Sequence, residues 1–70
     1  MNLNELKAEI VRKGYTINSL AEACGISKNT LYSRISGRSG FKQKEIASIC
    51  EQLDLDRDSI MSIFFADKVS

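Results

Sequence analysis

The stretch LAEACGISKNTLYSRISG, residues 20–37, contains one glycine between an apolar segment and a run of polar residues. After Gly25, the apolar residues Leu31 and Ile35 lie one helical turn apart. Glycine readily adopts the left-handed conformation that ends many helices, so Gly25 is expected to turn the chain between two short helices. The pattern fits either an ordinary corner of a helical bundle or a pair whose second helix is presented to a partner.

The composition predicts one small all-α domain. Seventy residues are enough for one domain at most, spanning residues 1–70. A hydrophobic content of 43% is typical of a globular chain rather than a disordered one. The chain has no proline and four glycines, which suits a compact helical bundle better than a turn-rich sheet.

Apolar residues at spacings of three and four predict five short helices, the last at about residues 56–65. Thr16, Ser27 and Asp56 precede three of these helices and are good N-caps. The predicted apolar stripes are Leu3, Leu6 and Ile10, with Val11 as a further candidate; Ile17, Leu20, Ala21 and Cys24; Leu31 and Ile35; Ile46, Ile49, Cys50 and Leu53; and Ile60, Ile63 and Phe64.

Charge is distributed unevenly along the chain, although the net charge is only +1. Residues 26–44 carry five basic side chains and no acid, whereas residues 45–70 carry six acids and two bases. A basic segment of this kind indicates either a polyanionic partner or an ordinary solvated loop.

Several classes of protein are not expected. No apolar run approaches the roughly 20 residues that span a bilayer, and the start MNLNELKAEI has no basic-then-apolar pattern, so the chain is expected to be cytoplasmic. Cys24 and Cys50 are expected to be buried thiols in a reducing compartment. Without a histidine, a nucleophile beside a base or a glycine-rich phosphate loop, we expect no enzyme, cofactor, metal or small-molecule ligand.

The second helix of the quoted pair has an outer face of unusual composition. If Leu31 and Ile35 point to the core, then Lys28, Asn29 and Tyr32 point outward with Ser33. Asparagine, lysine and serine are among the side chains that read base edges in the DNA major groove. Tyr32 is expected to pack either on DNA or on the protein surface. A helix-turn-helix is therefore one hypothesis for residues 16–36.

The segment TINSLAEACGISKNTLYSRISG resembles the helix-turn-helix of the Cro and phage-repressor type (XRE) family. The stretches RISGRSGF and EIASICEQLDLDRDSIMSIFF resemble those of small phage and mobile-element regulators. The resemblance implies a compact five-helix, lambda-repressor-like DNA-binding domain. It also implies a regulator of transcription that binds double-stranded DNA sequence-specifically, most simply a repressor at an operator, in a bacterial or phage-infected cell.

The resemblance further implies which residues contact DNA. By this resemblance, the residues expected to contact base edges are Ser27, Lys28, Asn29, Tyr32 and Ser33. The residues implied in contacts with the DNA backbone are Thr16, Ile17, Asn18, Arg38, Ser39, Lys42 and Lys44. The family often has glutamine at the position of Ile17, and Arg34 occupies a position that is usually apolar, so the direction of Arg34 is left open.

The last predicted helix carries more large apolar residues than one helical face can bury. The candidates for a dimer surface are Met61, Phe64 and Phe65, because small relatives of this kind pair through this end. In the alternative, Phe65 folds back over Leu3 or Leu6 and the protein is monomeric. The rival function is a protein-interaction module, such as an anti-repressor or a modulator, that uses the bundle without DNA.

Overall fold

The computed structural model describes residues 1–66, which form five α-helices and no strand. The helices are α1, Leu3–Arg12; α2, Ile17–Cys24; α3, Lys28–Ile35; α4, Gln43–Gln52; and α5, Arg57–Phe64. The predicted all-α class is confirmed, and residues 67–70 of the expected domain lie outside the described part. The Cα radius of gyration is 11.1 Å, close to the roughly 11 Å of a compact chain of this length.

Side chains fix the start of most helices. The predicted N-caps at Thr16, Ser27 and Asp56 are confirmed. Each cap oxygen accepts a hydrogen bond from the backbone N–H three residues later, at 2.8–3.1 Å. Asn2 caps α1 in the same way through Glu5, at 3.0 Å. Because these contacts are local, the sequence dictates where the helices begin.

The core is built from apolar residues of all five helices. Helix α2 packs against α3 and α4, while α1 packs against α3 and α5. The face of α3 opposite Leu31 and Ile35 is therefore left toward solvent. The buried apolar residues are Leu6, Ile10, Leu20, Ala21, Leu31, Ile35, Ile49, Leu53, Ile63 and Phe64.

The corner between α2 and α3 depends on Gly25. Its φ of 70° and ψ of 27° are left-handed, and a Cβ at this position would have no heavy atom of a more distant residue within 4 Å. The glycine is therefore required by the backbone conformation and not by crowding. The N–H of Ile26 donates to the carbonyl of Ala21 at 3.0 Å, which closes the end of α2.

The C-terminal helix places one of its three candidate dimer residues in the core. Phe64 is 6% exposed and its ring meets that of Phe41 edge to face, with centroids 5.9 Å apart. Phe64 therefore supports the fold and does not supply an exposed surface. Phe65 is partly buried against the core, and Met61 is 44% exposed.

Two thiols and one acid are the chemically distinctive groups near the core. Cys24 and Cys50 are free and half-buried, and burial raises the pKa of both thiols. Glu9 is 7% exposed and pairs with Arg12, so its carboxylate is not an isolated buried charge. None of the helices within residues 1–66 combines the length and the hydropathy needed to cross a membrane.

Candidate nucleic-acid interface

The outer face of α3 is polar and open to solvent. Leu31 and Ile35 anchor the opposite face at 0% and 2% exposure. Lys28 and Asn29 are exposed, and Tyr32 is 50% exposed. Three of the five residues predicted to read bases are thus exposed on α3. Tyr32 points away from the core.

A shallow depression runs along this face and joins it to the following loop. It is lined by Asn29, Tyr32, Ser33, Ser36 and Arg38. The structure therefore brings three predicted base-reading residues together with one predicted backbone contact. Ser36 was missed by the sequence analysis, although it lies one helical turn after Tyr32 and so shares its side of α3.

A second groove lies between α2 and α3. Its walls include Asn18 and Lys28, which were predicted to contact the DNA backbone and the bases respectively. Glu22 also lines this groove and is exposed. Glu22 was not among the residues predicted to contact DNA. A carboxylate at this position would repel a DNA phosphate. It would, however, accept a hydrogen bond from the N4 amino group of a cytosine in the major groove.

Several predicted contact residues already use their side chains within the protein. Ser27 caps α3, and Thr16 caps α2. The hydroxyl oxygens of Ser33 and Ser39 are hydrogen-bonded to each other at 2.9 Å. Ile17 is half-buried and packs against the core, so its part in the candidate interface is limited to the backbone at the start of α2.

Arg34 lies along the protein surface rather than on the outer face of α3. Its Nε donates to Glu45 Oε1 at 2.9 Å and its Nη2 donates to Oε2 at 3.2 Å. The two side chains are 16% and 11% exposed. The hydrogen bond from Arg34 is the main reason that the pKa of Glu45 is lowered, and the same bond raises the pKa of Arg34. The open question about the direction of Arg34 is thereby settled.

The basic residues predicted to contact the DNA backbone flank α3. Arg38 is exposed at the C-terminal end of the depression. Lys42 and Lys44 are exposed and line a polar groove between the α2–α3 corner and the start of α4. Positive charge therefore lies beyond the C-terminal end of the α3 outer face and along the α4 side. Within residues 1–66, no group of three or more histidine, cysteine or acidic side chains is placed to hold a metal ion.

The fold and this surface define a small all-α protein in which the exposed polar face of α3 is bordered by basic side chains. A family model described as "Protein of unknown function (DUF739)" matches residues 1–67, and the chain belongs to that family. No curated protein matches the chain, and no solved structure matches it.

Proposed function

We propose that this protein is a sequence-specific regulator that binds double-stranded DNA through a helix-turn-helix formed by α2 and α3. The observation that carries the proposal is the exposed surface of α3, where Lys28, Asn29 and Tyr32 are open to solvent while Leu31 and Ile35 are buried. The resemblance to Cro and phage-repressor proteins supports the same function. The simplest mode of regulation is repression by occupation of an operator.

The dimensions of α3 suit this role. An α-helix with its side chains is about 10–12 Å across, and the major groove of B-DNA is about 12 Å wide. Asn29 has the amide that pairs bidentately with adenine, and Lys28 donates to guanine O6 and N7. Tyr32 offers an apolar ring edge to a thymine methyl group.

Contacts with phosphates would hold the helix in register. Arg38, Lys42 and Lys44 are exposed on the flanks of α3 and supply positive charge without reading sequence. The start of α2, with Asn18 exposed, presents helix N–H groups to a phosphate. These contacts predict that affinity falls steeply as salt is added.

We propose further that two copies bind two half-sites. Met61 is exposed at 44% on α5, and Phe65 is partly buried beside it. The longest dimension of the protein is 33 Å, which compares with the spacing of about 34 Å between half-sites one helical turn apart. Two copies placed side by side with this dimension along the duplex would present their α3 helices to successive major grooves.

A second candidate function is a protein-interaction module. Val11 is 74% exposed. It borders an apolar groove between α1 and the start of α2, together with Ile10, Tyr15 and Ile17. An anti-repressor or modulator would use such a surface and would not need the basic flanks of α3.

The deciding experiment is selection of binding sites from a random duplex pool by the purified protein at moderate salt. Enrichment of an inverted repeat supports a sequence-specific dimer. Enrichment of a single half-site supports sequence-specific DNA binding and contradicts the proposed dimer. If no sequence is enriched at any salt concentration, DNA binding is wrong and the groove beside Val11 becomes the candidate surface.

Point variants then separate base reading from anchoring. Lys28→Ala and Asn29→Ala should each weaken specific binding by about 1–3 kcal/mol, which is more than they weaken non-specific binding. Arg38→Ala and Lys42→Ala should weaken both kinds of binding and reduce the salt slope by about one unit. Lys7→Ala, an exposed lysine on α1, is the matched charge control. If all four interface variants changed specific and non-specific binding to the same extent, the division into base-reading and phosphate-contacting residues would be wrong.

A further inference from the structure

The carboxylate of Glu45 joins α3, the following loop and the start of α4. Both of its oxygens accept from the guanidinium of Arg34, at 2.9 and 3.2 Å. Oε1 also accepts from the backbone N–H of Lys42 at 2.9 Å. The remaining terminal nitrogen of Arg34, Nη1, donates to Ser39 Oγ at 2.7 Å. Glu45 thus links the start of α4 to α3 and to the loop between them, either directly or through Arg34.

The loop between α3 and α4 is held at both ends by these bonds. Near α3, the N–H groups of Arg38 and Ser39 donate to the carbonyl of Ser33 at 3.1 and 3.3 Å. The Ser39 hydroxyl is bonded to both Ser33 and Arg34. At the other end, Glu45 holds the backbone of Lys42. The exposed side chains of Arg38 and Lys42 therefore extend from backbone that this network fixes relative to α3.

We propose that Glu45 is a positioning residue for DNA binding, which acts through Arg34 to hold Arg38 and Lys42 beside the outer face of α3. The inference rests on the proposed DNA-binding function. The forked geometry makes the contact directional as well as attractive. The low exposure of both side chains also reduces screening by salt.

The proposal and simple charge counting predict opposite results. Glu45 is an acid that lies close to the basic residues Lys42 and Lys44, so its removal should tighten DNA binding if only charge matters. If the carboxylate positions the loop, its removal should weaken specific binding in spite of the added positive charge. The sign of the effect therefore distinguishes the two explanations.

The test variant is Glu45→Gln, whose amide oxygen still accepts from the Lys42 N–H but cannot form the fork with Arg34. We expect its affinity for the selected site to fall about tenfold, on the scale of coupling within one hydrogen-bond network. Glu51→Gln makes the same charge change at the exposed, far end of α4 and should not weaken binding. Arg34→Lys keeps the charge but loses the fork, and should show a loss similar to that of Glu45→Gln.

A second measurement needs no DNA. In Glu45→Gln, the amides of Arg38 and Ser39 should exchange hydrogen at least several-fold faster than in the wild type, while the amides of α1 exchange at the same rate. Unchanged exchange in the loop overturns the proposal, and so does specific binding as tight as that of Glu51→Gln. If the wild type binds no duplex, the proposed function fails and the role of Glu45 in DNA binding fails with it. Faster loop exchange would then show only that the carboxylate orders the loop.

Discussion

Truncation of Leu31 to alanine tests the two-faced character of α3, on which the candidate interface depends. Leu31 is fully buried and is one of the two buried residues of this helix. The change removes three carbon atoms, which at about 0.8 kcal/mol per buried methylene corresponds to about 2.4 kcal/mol of transfer free energy. The cavity left behind adds to this cost, so the expected loss is about 2–5 kcal/mol.

Such a loss is large for a chain of this size. At about 0.05–0.15 kcal/mol per residue, 70 residues give a total free energy of unfolding of about 4–10 kcal/mol. We expect Leu31→Ala to lose about half of it. Urea unfolding followed by circular dichroism at 222 nm measures the difference by linear extrapolation. A loss below about 1 kcal/mol with an unchanged m-value would refute the placement of Leu31 in the core.

Tyr32→Ala is the matched control on the neighbouring position. Tyr32 is 50% exposed, so its truncation should change the free energy of unfolding by no more than about 0.5 kcal/mol. On the proposed function it should nevertheless weaken binding to the selected DNA site. A large loss of stability in Tyr32→Ala would mean that the outer face of α3 is packed in solution.

Two further predictions concern backbone strain and pH. Gly25→Ala should lower the free energy of unfolding by about 1 kcal/mol because alanine is strained at φ 70°. Gly25→Asn should lose less, since asparagine tolerates this conformation, and equal losses in urea unfolding would contradict the explanation. The pKa of Glu45 is lowered by Arg34, so this carboxylate stabilises the fold above its unfolded pKa of about 4.3. That stabilisation is lost as the pH falls through the lower pKa that Glu45 has in the folded protein. The wild type should therefore lose stability in acid more steeply than Glu45→Gln. Urea unfolding of both proteins at several pH values measures the difference.

The parts of the fold that were predicted correctly are those with local causes. Thr16, Ser27 and Asp56 cap helices three residues away, and Gly25 ends α2 through its own backbone conformation. The spacing of Leu31 and Ile35 determines which face of α3 is buried. None of these features depends on a distant segment, so the sequence pattern is sufficient to predict them.

The features that were not predicted depend on contacts between segments. The direction of Arg34 is decided by Glu45, which lies eleven residues later in the chain and on another helix. The edge-to-face contact of Phe64 is made with the ring of Phe41, which lies in the loop before α4. The pairing of the Ser33 and Ser39 hydroxyls requires the loop to return to α3. In each case the residue type is compatible with two environments, and contacts with a distant segment of the chain determine which of them the side chain occupies.

The charge distribution also bears on how the proposed DNA binding would discriminate between sequences. A net charge of +1 gives little general attraction to a polyanion, and acids line the grooves on both sides of α3, at Glu22 and Glu45. Binding to arbitrary duplexes should therefore be weak and easily abolished by salt. A specific complex must then depend on base contacts made by α3 and on phosphate contacts held in register by the loop. For this protein the ratio of specific to non-specific affinity is thus more informative than either affinity alone.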